Sequence, residues 1–325
     1  MQDNREITNE EVQKASEIIN NLLSYYNSKV VGQPYLGYSL LVAMMTNGHV
    51  LLESVPGLAK TTAARVMTEA VNGSFSRIQC TPDLIPSDII GTQMYNMATN
   101  TFEDKIGPVY SNFVLLDEIN RSSAKTQSAM LEAMQEREVS IGGKTYKLPE
   151  VFVVIATQNP IESEGTYVLS EAQLDRFLMK INMGYPKKDD EVLILNRFLK
   201  EDPSKGLSTV ATCEDIAVMK EEAKNVYVHP VLIDYIVELA RMTRQQDNVS
   251  IGVSPRGTLG MLNAARAYAY VAGRDYVVPE DIKILAPVVW AHRIVLQTGY
   301  MNMDNKEQIL SLIHISEPTR LQLIS

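Results

Sequence analysis

Residues 49–61 read HVLLESVPGLAKT. The run 49–53 is apolar and short, and reads as a buried strand. A Pro-Gly turn follows, and then a helical pattern from about 60 to 71. A strand feeding a tight turn and a helix N-terminus presents backbone N–H groups to phosphate oxygens. The stretch falls just short of the general pattern G-x-x-x-x-G-K-[ST]. Ser54 and Ala59 stand at its two glycine positions, while Gly57, Lys60 and Thr61 remain. Lys60 would supply charge to the β- and γ-phosphates, and Thr61 a hydroxyl for Mg²⁺. Taken alone, the segment also reads as a plain turn with a solvated lysine.

Three further apolar runs lie along the same half of the chain: FSRIQC (75–80), FVLLDE (113–118) and VFVVIATQN (151–159). Buried strands alternating with helices predict an α/β fold, a parallel sheet flanked by helices on both faces. Ligands of such sheets bind beyond the carboxyl ends of the strands. The chemistry-bearing residues follow the strands in that way. Asp117 and Glu118 end one run, and Asn159 ends another. An isolated apolar-Asp-Glu string reads equally well as a solvated charge pair. Downstream of a phosphate loop, it reads as a Mg²⁺ carboxylate and a base for water.

Composition narrows the class. The chain has 325 residues, 45% hydrophobic and 21% charged, which excludes collagen, coiled coil and wholesale disorder and suggests two domains. A net charge of −9 argues against a uniformly basic grip on nucleic acid. Two distant cysteines, Cys80 and Cys213, exclude a disulfide scaffold and a cysteine-based zinc cluster. The polar N-terminus lacks the core of a signal peptide, and no run of ~18 apolar residues is present. The expected location is the cytoplasm, with no membrane insertion.

Residues 9–27 carry an amphipathic helical pattern, and 35–46 a second helix after VVGQ (30–33). Residues 92–108 alternate with a polar middle, and 138–148 alternate about Gly142-Gly143, a hairpin signal. After Gly184-Tyr185-Pro186 the pattern turns helical over 188–200, 213–225, 230–244, 255–272 and 279–298, with Pro230, Pro255 and Pro279 at helix starts. The expected division is an N-terminal helix (1–28), a nucleotide-binding α/β domain (29–185) and a small all-helical lid (186–309). Residues 310–320, LSLIHISEPTR, resemble the translation of a transposase sequencing adapter. Residues 310–325 are therefore expected not to be native, and they are excluded from the reading of fold and function.

Longer blocks carry a resemblance. They are GQ at 32–33, LLESVPGLAKT (51–61), TPDLIPSDIIGT (81–92), LLDEINRSSAKTQSAMLEAMQE (115–136), ATQNPIESEGTYVLSEAQLDRF (156–177) and SPRGTLGMLNAARAYAYVAGRDYVVPEDI (254–282). In this order they resemble a MoxR-type AAA+ ATPase over roughly residues 10–298. The resemblance implies binding of ATP and Mg²⁺. It carries adenine packing onto Val31 and Gly32, and the phosphate loop onto Pro56, Gly57, Leu58, Ala59, Lys60, Thr61 and Thr62. Thr61 and Asp117 would hold the metal, and Glu118 would be the catalytic base. Asn159 would be the polar sensor that orients water. Arg176 would be an arginine finger acting on a neighbouring subunit, and Arg256 a second sensor reaching the γ-phosphate from the lid.

Alanine at position 59 is usual in this family. Serine at 54 is not, and its Cβ would strain the turn if φ there is positive. The resemblance further implies a homo-oligomer, a hexameric ring, acting as a chaperone-like remodeller of an unidentified client. A partner bearing a von Willebrand factor A domain is implied as well. Segment 92–108 resembles an insertion within the second helix and 138–148 the hairpin preceding the sensor strand, and in related AAA+ machines such hairpins engage substrate or a partner near the ring's pore. The alternatives are a nucleic-acid motor of a related clade, which the sparse basic residues of those hairpins disfavour, and a nucleotide-binding module without turnover.

Overall fold

The computed structural model describes residues 9–55, 57–159, 166–199 and 206–297. From the N-terminus the chain runs α1 (Asn9–Lys29), α2 (Pro34–Thr46), β1 (Val50–Ser54), α3 (Lys60–Ala70), β2 (Phe75–Gln79), α4 (Pro86–Ile90), β3 (Gly91–Asn96), β4 (Thr101–Ile106), β5 (Phe113–Asp117) and α5 (Ala124–Glu136). It continues with β6 (Glu138–Ile141), β7 (Lys144–Lys147), β8 (Val153–Gln158), α6 (Glu171–Leu174), β9 (Met179–Met183), α7 (Lys188–Phe198), α8 (Cys213–Ala223), α9 (Pro230–Arg244), β10 (Val249–Ile251), α10 (Pro255–Val271), α11 (Pro279–Trp290) and β11 (Val295–Leu296).

Five strands form one sheet in the order β2-β5-β8-β1-β9. The pairs β2/β5, β5/β8 and β8/β1 are parallel. Each parallel connection must cross over, so helices cover the sheet and its central strands β5, β8 and β1 are largely apolar. Phe113, Val114, Leu115, Val153, Val154, Val50 and Leu51 are all fully buried. This is the expected α/β sheet flanked by helices.

Two antiparallel hairpins stand apart from the sheet, β3/β4 and β6/β7. Asp104 ties them together. Its carboxylate accepts from Gln93 Nε2 at 2.9 Å and Tyr146 Oη at 2.6 Å, and pairs with Lys144 at 3.3 Å.

The described chain forms two compact units. The sheet unit comprises Ile18–Leu169 and Ile181–Val218. The helical unit comprises the described parts of Met1–Glu17, Ser170–Lys180 and Met219–Ser325. Pro230, Pro255 and Pro279 each open a helix, as proline's fixed φ and missing N–H allow. One expectation changes. The helix predicted over 279–298 stops at Trp290, and Val295–Leu296 pairs antiparallel with β10. The helical unit is thus not purely helical: the β-branched residues of 249–251 find a strand partner that local pattern cannot reveal. Among the described residues, no helix is long and apolar enough to cross a membrane. Residues 310–325 lie outside the described residues.

Candidate functional site

The sheet order brings the carboxyl ends of β1, β8 and β5 side by side. β1 ends at Ser54, and the chain turns through Gly57 at φ +87° and Ala59 at φ +54° into α3. The left-handed strain therefore falls on Ala59. Ser54 is the last residue of an extended strand and is not among the positive-φ positions, so the strain foreseen there does not arise. Its hydroxyl is buried and has no hydrogen-bond partner. Ala59 provides no side-chain cap for the first-turn N–H groups of α3, the kind of donor set that helix N-termini offer to anions. Lys60, Thr61 and Thr62 form that first turn and are half-buried.

Val31, Gly57, Leu58, Ala59 and Thr62 line one cavity of about 270 Å³. Ile194 and Phe198 of α7 close its far wall, which sequence reading did not foresee. Arg197 Nη1 donates to Ser28 O at 2.5 Å and fastens α7 to the segment before Val31. Gly32 is packed against Asp190 of the same helix. A largely apolar slot ending at a helix N-terminus suits a flat base joined to phosphates. Pro56 lies outside the described residues.

Asp117 ends β5, and Glu118 follows it at φ +59°. Thr157, fully buried on β8, holds both. Its hydroxyl donates to Asp117 Oδ1 at 2.8 Å and accepts from the Glu118 N–H at 2.9 Å. Asp117 Oδ2 pairs with Arg77 Nη2 at 2.6 Å. Glu118 Oε2 accepts from Gln79 Nε2 at 3.1 Å and pairs with Arg121 Nε at 3.2 Å. Asp117 is 13% and Glu118 24% exposed, so both reach the open edge of the sheet. Asn159, buried, comes directly after β8.

Thr157, Gln79 and Arg77 escaped the sequence reading. Only their place at strand ends hinted at them, and the register that pairs Gln79 with Asp117 is a property of the sheet. Among the described residues, no group of three His, Cys, Asp or Glu could hold a metal by itself. One carboxylate and one hydroxyl, Asp117 and Thr61, are hard oxygen donors of the kind that suits Mg²⁺ when it keeps its waters and binds phosphate.

Arg176 and Arg256 belong to the helical unit. Arg176 is half-buried just after α6, and Arg256 is exposed in the first turn of α10. Asp117, Glu118 and Asn159 belong to the sheet unit instead.

Comparison with known proteins agrees with this layout. Residues 49–179 match the ATPase family associated with various cellular activities (AAA), and residues 241–313 match the AAA lid domain. The chaperone MoxR1 of Mycobacterium tuberculosis is 49% identical over 82% of this chain and 73% of its own length. YeaC of Bacillus subtilis is 46% identical over 86% of this chain and 87% of its own. A crystal structure from Cytophaga hutchinsonii, 40% identical, superposes with a TM-score of 0.88 over 94% of this chain and 96% of that one. Identity at this level over this share of the chain, with core and lid patterns matched in order, makes the protein a member of the MoxR family of AAA ATPases.

Proposed function

We propose that this ATP-hydrolysing enzyme uses the strand-end residues of β1, β5 and β8 to cleave the γ-phosphate, and that an assembly of several copies turns the cycle into remodelling of other proteins. The observation that carries the reading is the pair Asp117 and Glu118, fixed by Thr157 at the sheet edge that also ends in the phosphate loop. Lys60 and the first-turn amides of α3 hold the phosphates. Thr61 and Asp117 would hold Mg²⁺, which when bound would neutralise charge on the phosphate oxygens. Asp117, paired with half-exposed Arg77 in the structure, would exchange that partner for the metal. Glu118 polarises the attacking water, and Asn159 orients it. The chemistry is mainly positioning and charge stabilisation.

Arg256 senses the nucleotide of its own copy from the lid (186–309), and Arg176 completes the site of a neighbour. A head-to-tail contact that closes on itself yields a ring, here a hexamer. The name of MoxR1 supports a chaperone role, and a von Willebrand factor A domain protein is the proposed partner. In the hairpins Lys144 is paired with Asp104, which fits a protein client better than a nucleic acid. Glu118→Gln tests the reading. It should bind Mg·ATP as the wild type does while releasing no phosphate above background. Equal release by both proteins refutes it.

A further inference from the structure

Arg293 is 6% exposed, and a guanidinium at that depth is costly unless every donor is met. Its donors are met by one short segment, with Val289 O of α11 also accepting from Nη1. Nε donates to Asp175 Oδ1 at 2.7 Å, and Nη1 to Leu178 O at 3.1 Å. Nη2 donates to Phe177 O at 2.6 Å and Asp175 O at 3.2 Å. These acceptors flank Arg176 on both sides. Asp175 also reaches the opposite wall. Ser254 Oγ donates to both its carboxylate oxygens, at 3.1 and 3.0 Å, and accepts from Gly257 N as the N-cap of α10. Arg256 lies in the chain between the cap, Ser254, and Gly257, whose N–H donates to that cap.

The packing is tight on the same side. A Cβ on Gly257 would stand 2.8 Å from Arg293 Cδ, and Gly257 O accepts from Trp290 Nε1 at 2.9 Å. Burial lowers the pKa of Arg293, Asp175 opposes that, and the like charge of nearby Arg256 adds to the lowering. All of these groups lie within the helical unit. Apolar sets of similar volume are often at least as stable as a buried ion pair, so stability is weak grounds for keeping this one.

We propose that Arg293 is a positioning residue: with Asp175 it sets Arg176 and Arg256 on one rigid frame, so that the arginine lent to a neighbouring copy and the arginine turned to the copy's own nucleotide move together. This inference rests on the functional reading above. It makes the nucleotide state felt by Arg256 directly available to the site next door.

The test uses full-length protein with Arg293→Lys, and with the neutral pair Asp175→Asn plus Arg293→Gln, which leaves no unpaired buried charge. Thermal melting shows that each variant is folded. Turnover is measured against ATP concentration, and affinity by displacement of a fluorescent ADP analogue. Misplacing a catalytic group by about 1 Å costs about 10²-fold, so kcat should fall on that order, with a severalfold loss of nucleotide affinity. Each variant is then mixed with excess Glu118→Gln protein, whose own Arg176 is intact. Mixing should restore kcat at the variant's sites, because the finger comes from the neighbour. It should leave the affinity defect, because Arg256 acts within its own copy. Wild-type values for both quantities, a defect in only one of them, or a loss that mixing leaves untouched each overturn the proposal. Turnover that survives Arg176→Ala refutes the functional reading beneath it, and the proposal with it.

Discussion

Thr157→Val removes one oxygen and keeps the branched shape that the strand accepts. Two hydrogen bonds go with it: the 2.8 Å bond to Asp117 Oδ1 and the 2.9 Å bond from the Glu118 N–H. The first is charge-assisted, about 1.5–3 kcal/mol, and the second leaves a donor without its acceptor, about 1–3 kcal/mol. Glu118 is a quarter exposed, so water recovers part of the loss, and a net cost of about 2–3 kcal/mol follows. Function should suffer more than stability. The Thr157 hydroxyl is what holds Glu118 at φ +59°, a conformation that costs a non-glycine residue about 1–2 kcal/mol. Once released, Glu118 relaxes and its carboxylate shifts, and phosphate release should fall about 10²-fold. Urea unfolding followed by circular dichroism measures the first effect and phosphate release the second. Thr157→Ser keeps both bonds and should stay close to wild type. Stability within about 0.5 kcal/mol and turnover within about twofold for Thr157→Val refute the argument. So does a serine variant that behaves like the valine.

Ala59→Gly relieves the left-handed alanine at about 1–2 kcal/mol and gives back about 0.4–1 kcal/mol in unfolded-chain entropy, so the melting temperature should rise slightly rather than fall. His49 is buried as a neutral ring, its Nδ1 accepting from Val154 N and its Nε2 donating to Met134 O, and burial pushes its pKa down to about 4. The unfolded chain binds this proton first, so stability is complete above pH ~6.5 and declines by about 3 kcal/mol as the pH falls to about 4. His49→Gln should flatten that slope in urea titrations run at several pH values. The Tyr146 hydroxyl, with Gln93 and Lys144, holds Asp104 below the ordinary carboxylate range. The hairpin–hairpin contact is therefore complete above that range and lost as the pH falls through the lowered value. Hydrogen exchange should show β3/β4 losing protection in acid, and losing it near neutrality in Asp104→Asn.

Local pattern carried much of this protein. The apolar runs at 49–53, 113–117 and 153–158 could be buried only as central strands of a covered sheet. Pro-Gly before Lys-Thr could hardly be anything but a strand-to-helix turn once Asp117 and Glu118 were seen to follow a strand. Prolines 230, 255 and 279 marked helix starts because their φ and missing N–H act within one turn. Ser54 and Ala59 were read from the motif alone, and only the backbone showed that the alanine, not the serine, takes the left-handed conformation.

What tertiary structure decided was every relation that crosses strands or long stretches of chain. Gln79 faces Asp117 because β2 pairs with β5 in that register, and Thr157 reaches both carboxylate residues because β8 lies between β5 and β1. No window of sequence contains those choices. Helix Lys188–Phe198 walls the cavity beside Val31 and Ala59 through packing, and Val295–Leu296 becomes a strand only because Val249–Ile251 offers an edge. Arg293 lies more than a hundred positions from Asp175 and reads as an unremarked basic residue at a helix end. Burial and five donors in a fixed fork give it a partner, and that requires the folded chain.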